Sequence, residues 1–260
     1  MSGKNALNYD IAGKVFEMTP TGCSNCPLRK RSLFVEFTKD ELAFMEKLKT
    51  GELKVDAGTT ILMEGSNSPQ LFTVLKGVGI RYKTLENGRR QVINFLMPGD
   101  FVGLQAGIMG EMKHSVEATT RMTLCVFRRE DLWNVFRAQP ARAYDVTWIA
   151  AAEEHFLGES IATLGQRTAE QRMAWAMLML DRRLRAVGLG KNGSVPLPFK
   201  QQDLADALGL SLVHTNKTLA NLRKRQIVNW SGGRLSIKDN RKLAEIAMVE
   251  DEELPRRPLM

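Results

Sequence analysis

The sequence predicts an α+β chain, an antiparallel all-β half followed by helices that end in a winged helix-turn-helix. Three observations carry this. Glycine-punctuated β-rich runs fill residues 52–128, a run free of Gly and Pro begins at Ala141, and basic residues gather around two short helices beyond Phe199. At 260 residues the chain has room for about two domains, each with its own core. With 43% hydrophobic and 25% charged residues it is neither a disordered chain nor a disulfide-stapled mini-protein, and no apolar run reaches the ~20 residues that span a bilayer. A membrane is therefore excluded as a partner. The N-terminus lacks the apolar core of a secretion signal, so the expected compartment is the cytoplasm and the expected state of the three cysteines is reduced. The formal charge of +8 makes a polyanion a reasonable partner.

The elements follow in order. Residues 1–36 read as an extended arm carrying Cys23 and Cys26, and Thr38 with Glu41 forms a capping box for a first helix reaching Gly51. Strands are expected at Thr59 to Met63, Leu71 to Leu75, Gly79 to Tyr82, Gln91 to Leu96 and Met122 to Phe127, with a hairpin at Asn87-Gly88. Arg129 to Arg137 reads as a short helix. Beyond it Val146, Ala150, Leu157, Ile161 and Leu164 fall at helical steps, with Glu153 and Gly158 as flaws in the stripe. A further helix opens at Thr168, capped by Gln171, and turns Met173, Met177, Leu180 and Leu184 inward. That Met-rich run is a helix core, and the acidic stretch Glu250 to Glu253 a solvated tail.

The segment Asp203 to Arg225 carries the functional signal. Leu204, Ala205 and Leu208 give one helix an inner face, Gly209 permits a sharp turn, and Ser211 caps a second helix whose Leu219 and Leu222 point back. Such a second helix puts its N-terminal side chains into the major groove of double-stranded DNA, which nominates Ser211, Val213, His214, Asn216 and Lys217, with Lys217 suited to a guanine. Arg223, Lys224 and Arg225 lie further along, where phosphate contacts add affinity without sequence information. Ile227 to Trp230 and Arg234 to Ile237 read as a two-stranded wing. Between Phe199 and Lys242 nine Lys or Arg face three Asp, so this module holds +6 of the total charge.

The β-rich half, the long helix, and Leu197-Pro-Phe-Lys-Gln-Gln-Asp-Leu-Ala-Asp-Ala-Leu-Gly-Leu-Ser211 with its wing resemble the Crp/Fnr superfamily of bacterial transcription regulators, over roughly residues 37–243. The match is nearer the Fnr/FixK-like branch than the cyclic-AMP-binding members. The resemblance implies a jelly-roll sensor domain over 37–138, a dimerisation helix over 139–166, a winged helix-turn-helix over 167–243 and a tail over 244–260. It further implies a homodimer on a palindromic promoter site, with recognition helices about 34 Å apart, RNA polymerase as a partner, and no enzymatic activity. In the oxygen-sensing branch a glutamate and an arginine read the half-site, and here Val213 and Lys217 stand in those positions.

The same resemblance frames the signal. Members that bind cyclic AMP carry a glutamate for the ribose and an Arg-Ser pair for the phosphate. Here Leu104 and His114-Ser115 occupy those places, and Lys113 offers charge without a guanidinium fork, so cyclic AMP at ordinary affinity is not expected. Oxygen-sensing members hold a [4Fe–4S] cluster on four thiolates. Cys23 and Cys26 resemble the first pair and Cys125 the lone β-domain ligand, but the fourth cysteine is missing, with Ser32 and Phe34 at its expected spacings. An iron–sulfur cluster would need Ser32, His155 or an external group. A reactive thiol pair and a merely structural Cys-x-x-Cys are the alternatives. A thiol oxidoreductase would want the motif after a strand at a helix N-terminus, and no strand precedes it.

Overall fold

The computed structural model describes residues 20–250 and 253–260; the remainder of the arm and of the acidic stretch lie outside the described residues. The β-domain opens with α1 (Lys39–Leu48), where Thr38 and Glu41 exchange both capping-box bonds, at 2.8 and 3.2 Å. The helix stops three residues before Gly51 because Lys49 already begins a strand, β1 (Lys49–Val55). That strand carries Lys49, Thr50, Gly51, Glu52 and Lys54, a composition that hides it in sequence and suits its place at a sheet edge.

Beyond β1 come β2 (Thr60–Leu62), β3 (Gln70–Lys76), β4 (Gly79–Thr84), β5 (Arg90–Leu96), β6 (Phe101–Val102), α2 (Leu104–Met109), β7 (Ser115–Ala118) and β8 (Met122–Arg128). They form two antiparallel four-stranded sheets, ordered β1-β8-β3-β6 and β2-β7-β4-β5, which is a jelly-roll. Between them pack Leu53, Phe72, Val74, Leu96, Val116 and Leu124. In the first sheet Cys125 of β8 lies opposite Glu52 of β1 and Thr73 of β3. The hairpin at Asn87-Gly88 bends with only Gly88 at positive φ (+78°); Gly88 N–H donates to Leu85 O at 2.8 Å.

α3 (Leu132–Ala138) leads into α4 (Pro140–Gln166), 27 residues long with its proline in the first turn, where a missing N–H costs nothing. Glu153 is no flaw in this helix: it faces the β-domain, where Arg81 Nη1 donates to its carboxylate at 2.8 Å. α5 (Ala169–Ala186) starts at the Thr168–Gln171 capping box. Met173, Met177, Leu180 and Leu184 are buried as the spacing requires, and so are Trp175 and Leu178 on other faces. α5 is buried almost all round because one core spans β4, β5, α5 and the C-terminal helices, with Phe156 stacked on Trp175 and Phe95 edge-on to Phe199.

The C-terminal module continues with β9 (Val195–Pro196), α6 (Gln201–Leu208), α7 (Leu212–Lys224), β10 (Val228–Ser231), β11 (Arg234–Ile237) and α8 (Asn240–Ala247). The wing thus has three strands, ordered β10-β11-β9, where two are expected. β9 is absent from the strands that the sequence predicts; Val195 and Leu197 are buried and Leu197 N–H donates to Gly233 O at 2.7 Å, which covers the free edge of β11. The expected tail also differs. Residues 244–247 complete α8, and 253–260 runs back to the β-domain, burying Leu259 and Met260 at 4% and 6% exposure.

Candidate nucleic-acid interface and thiol pocket

Gly209 sits at φ +62°, and it and Leu210 both turn their N–H to the Ala205 carbonyl, so the chain reverses between α6 and α7 at a residue with no Cβ to strain. Ser211 caps α7, its hydroxyl accepting from His214 N–H at 3.2 Å. Thr215, Thr218 and Leu222 are buried, which turns Val213, His214, Asn216 and Lys217 to solvent, Val213 with 79% of its surface exposed. Ser211 is also exposed, although its oxygen already serves the helix.

Arg223 and Lys224 are exposed on the last turn of α7, and Arg225 follows it. Arg225 is paired with Glu170 at the start of α5, so it is not a free cation. A polar groove of about 200 Å³ runs between α7 and the wing, lined by Gln201, Asn216, Arg223 and Trp230 among others. A wider one of about 540 Å³ holds Arg223, Arg225, Gln226, Asn229 and Lys238. Gln201, Asn229 and Lys238 were not singled out in sequence, since only the folded wing brings them beside the second helix. Of the three acids of the module, Asp239 lines this wider groove beside Lys238, and the other two face elsewhere. Asp203 and Asp206 are bound by Arg90 of β5, at 2.6 and 3.4 Å, so neither offsets the positive charge beside α7.

The groups at the cyclic-nucleotide position have partners within the protein. His114 is buried, and burial first, then the neighbouring Arg81 cation, push its pKa down to about 4, which leaves a neutral imidazole. Ser115 accepts from Glu64 N–H at 3.0 Å. Arg81 is held by Glu153 and by the Phe101 carbonyl at 2.7 Å, and Lys113 pairs with Glu111. A cyclic phosphate meets no unpaired cation among these groups.

The three cysteines do converge. Cys23 lies in a 3-10 turn (Cys23–Asn25) with Cys26 as its cap, and both line one pocket with Cys125 of β8. All three thiols are free. Burial pushes Cys23 up to about 11 and Cys125 up to about 12, so while the pocket is closed both are held as neutral thiols, and nucleophilic chemistry there requires that it open. Lys49 is buried beside them, donating to Thr21 O at 2.7 Å and Glu52 at 2.8 Å; burial alone would lower its pKa, yet its bonds to Glu52 and Cys125 raise it.

In this arrangement the residues do not fit a four-iron cluster. The free volume is about 30 Å³, enough for a water or two, and Leu259 and Met260 form part of its wall. Among the described residues no three His, Cys, Asp or Glu converge as metal ligands. Neither substitute ligand reaches the pocket. Ser32 is exposed, His155 is exposed on α4, and Phe34 is buried elsewhere, against Gly99.

Two domain families match the chain in this order: the cyclic nucleotide-binding domain over residues 52–139 and the Crp-like helix-turn-helix domain over 171–246. The nitrogen fixation regulation protein FixK of Rhizobium meliloti (strain 1021) is 30% identical over 173 residues, 66% of this chain and 74% of its own. The transcriptional activator protein FnrL of Cereibacter sphaeroides is 28% identical over 215 residues, 82% and 86% of the two chains. The solved structure of FixK2 from Bradyrhizobium japonicum superposes with a TM-score of 0.69 at 26% identity, covering 75% of this chain and 96% of that one. The cyclic nucleotide-binding and Crp-like helix-turn-helix domains are matched in sequence and the fold is matched in structure, and the chain belongs to the Crp/Fnr family of DNA-binding transcriptional regulators.

Proposed function

We propose that the protein binds a palindromic promoter site as a homodimer, reading bases with Val213, His214, Asn216 and Lys217 and gripping phosphates with Arg223 and Lys224. The exposed N-terminal face of α7 beside a polar groove that holds Arg223 is the observation that carries this reading. The homodimer reading rests on α4, which exposes Leu157 and Ile161 one turn apart next to the small residues Gly158 and Ala162. RNA polymerase is then the partner at the promoter, the cytoplasm the compartment, and regulation rather than catalysis the role. Its signal enters through the thiol pocket, as a thiol switch in preference to a four-thiolate cluster or cyclic AMP, because the pocket lacks both the ligands and the room for a cluster.

Lys217→Ala and Arg223→Ala test the assignment by titration of selected operator DNA and random duplex. Lys217→Ala should weaken operator binding by about 1–3 kcal/mol and leave random duplex nearly unchanged. Arg223→Ala should weaken both alike and flatten the salt dependence by about one unit of slope. Equal loss on both duplexes for Lys217→Ala would return that residue to the phosphate class.

A further inference from the structure

The segment 253–260 forms a second connection between the DNA-binding module and the β-domain. Arg257 pairs with the backbone of 33–35: its N–H donates to Leu33 O at 2.8 Å and its carbonyl accepts from Val35 N–H at 2.9 Å. Its guanidinium meets Asp100 at 2.9 Å, and Arg183 of α5 takes the other oxygen of that carboxylate at 2.9 Å. Asp100 is 2% exposed; burial would raise its pKa, but Arg183, Arg257 and Arg81 hold it below the usual carboxylate range. Gly99, at φ +93°, makes room for this: a Cβ there would lie 2.3 Å from the Phe34 ring, which is packed under the paired segment. Beyond Arg257 the chain enters the sheet. Thr73 Oγ1 donates to the Met260 carbonyl, and Leu259 and Met260 wall the pocket that holds Cys23, Cys26 and Cys125.

Thr73 and Cys125 are direct cross-strand partners, so the residue that holds Met260 adjoins the thiol in the sheet. We propose that residues 256–260 are an internal ligand of the three-thiol pocket, competing for it with any group that becomes bonded to Cys23, Cys26 or Cys125. A free volume of about 30 Å³ cannot take such a group while Leu259 and Met260 stay in place. The sulfur-bound group expels them, and with them goes the Arg257 clasp that ties the module to Asp100. The competition is reciprocal: a seated segment shields the thiols, and an occupied pocket frees the segment. This deepens the thiol-switch reading and rests on it only for its consequence at DNA.

The full-length protein tests both directions with N-ethylmaleimide, which adds across its double bond, the sulfur forming a new S–C bond and the thiol proton ending on the neighbouring carbon. Labelling of Cys125 is followed by peptide mass in the wild type, in Arg257→Ala, and in the pair Leu259→Ala with Met260→Ala, circular dichroism confirming that each folds. Both variants should label at least about tenfold faster, because the pocket then opens without breaking the clasp. In the other direction, trypsin at the Arg256–Arg257 bond reports the clasp, since that bond is held against 33–35 and the next one precedes Pro258. Labelled wild type should be cut there at least about tenfold faster than unlabelled protein. An unchanged Cys125 rate in both variants, or full protection of the bond after labelling, overturns the proposal. Operator titration of the same samples stands apart: DNA binding that ignores labelling overturns the thiol-switch reading and leaves the competition intact.

Discussion

At the scale of residues, chemistry is decided by what surrounds each group. His114 carries an ordinary imidazole in the chain and an almost unprotonatable one in the fold, because burial and Arg81 act in the same direction. Its folded pKa of about 4 lies below the ordinary 6.5, so between those values the unfolded chain binds the proton that the native one refuses. The stabilisation is complete above pH 6.5 and is lost as pH falls through about 4, with a slope of up to roughly 1.4 kcal/mol per pH unit. His114→Gln should flatten that part of a urea-midpoint against pH curve; an unchanged slope would assign it to other groups. The same holds for Cys125 and Lys49. Their adjacency comes from a strand register and an irregular first residue of β1, which no spacing along the chain encodes.

At the scale of elements, two helices meet the interface through one short contact. Thr168 caps α5, and Glu170 in its first turn pairs with Arg225 just beyond α7. The cap was legible, because Thr168 and Gln171 stand three apart before a periodic apolar run. The ion pair was not, since 55 residues separate its partners. Thr168→Ala should cost about 1 kcal/mol by chemical denaturation, the usual loss of a capping side chain. Glu170→Gln should act differently, freeing Arg225 toward phosphates. Binding to random duplex should tighten and its salt dependence steepen by about one unit of slope; no change would mean that Arg225 lies away from the DNA.

At the scale of the whole molecule, two charged clusters among the described residues help fasten the DNA-binding module to the β-domain. Arg90 reaches from β5 to Asp203 and Asp206 of α6 while lying over the Tyr82 ring at 5.0 Å, and Asp100 gathers Arg183 and Arg257. Between them runs an apolar cleft of about 170 Å³, lined by Phe95, Phe156, Leu157, Ile161 and Trp175 among others. Arg90→Ala leaves the buried Asp203, among the described residues, with the Lys200 N–H at 2.8 Å, and because Arg90 is itself partly exposed the loss should be about 2 kcal/mol, below that of a fully buried pair. Calorimetry should then resolve two transitions where the wild type is expected to give one. A single, unshifted peak would mean that the shared apolar core couples the domains without this pair.

The amino-acid sequence by itself determined everything that local chemistry controls. Caps, the glycine turn between α6 and α7, the hydrophobic periods of α4 and α5 and the basic density after Lys200 are written within a few residues of where they act, and together they identify the domain order and the DNA-facing helix. The tertiary structure alone decided which of those groups are free to work. It turned Asp203 and Asp206 away from the basic face, tied Arg225 to Glu170, made Glu153 a link to Arg81, added β9 to the wing, and set Leu259 and Met260 beside three cysteines that lie far apart in the chain. Such pairings depend on long-range packing and on the burial it imposes, and a solvated side chain becomes a paired or neutral one only when the partner arrives through the fold.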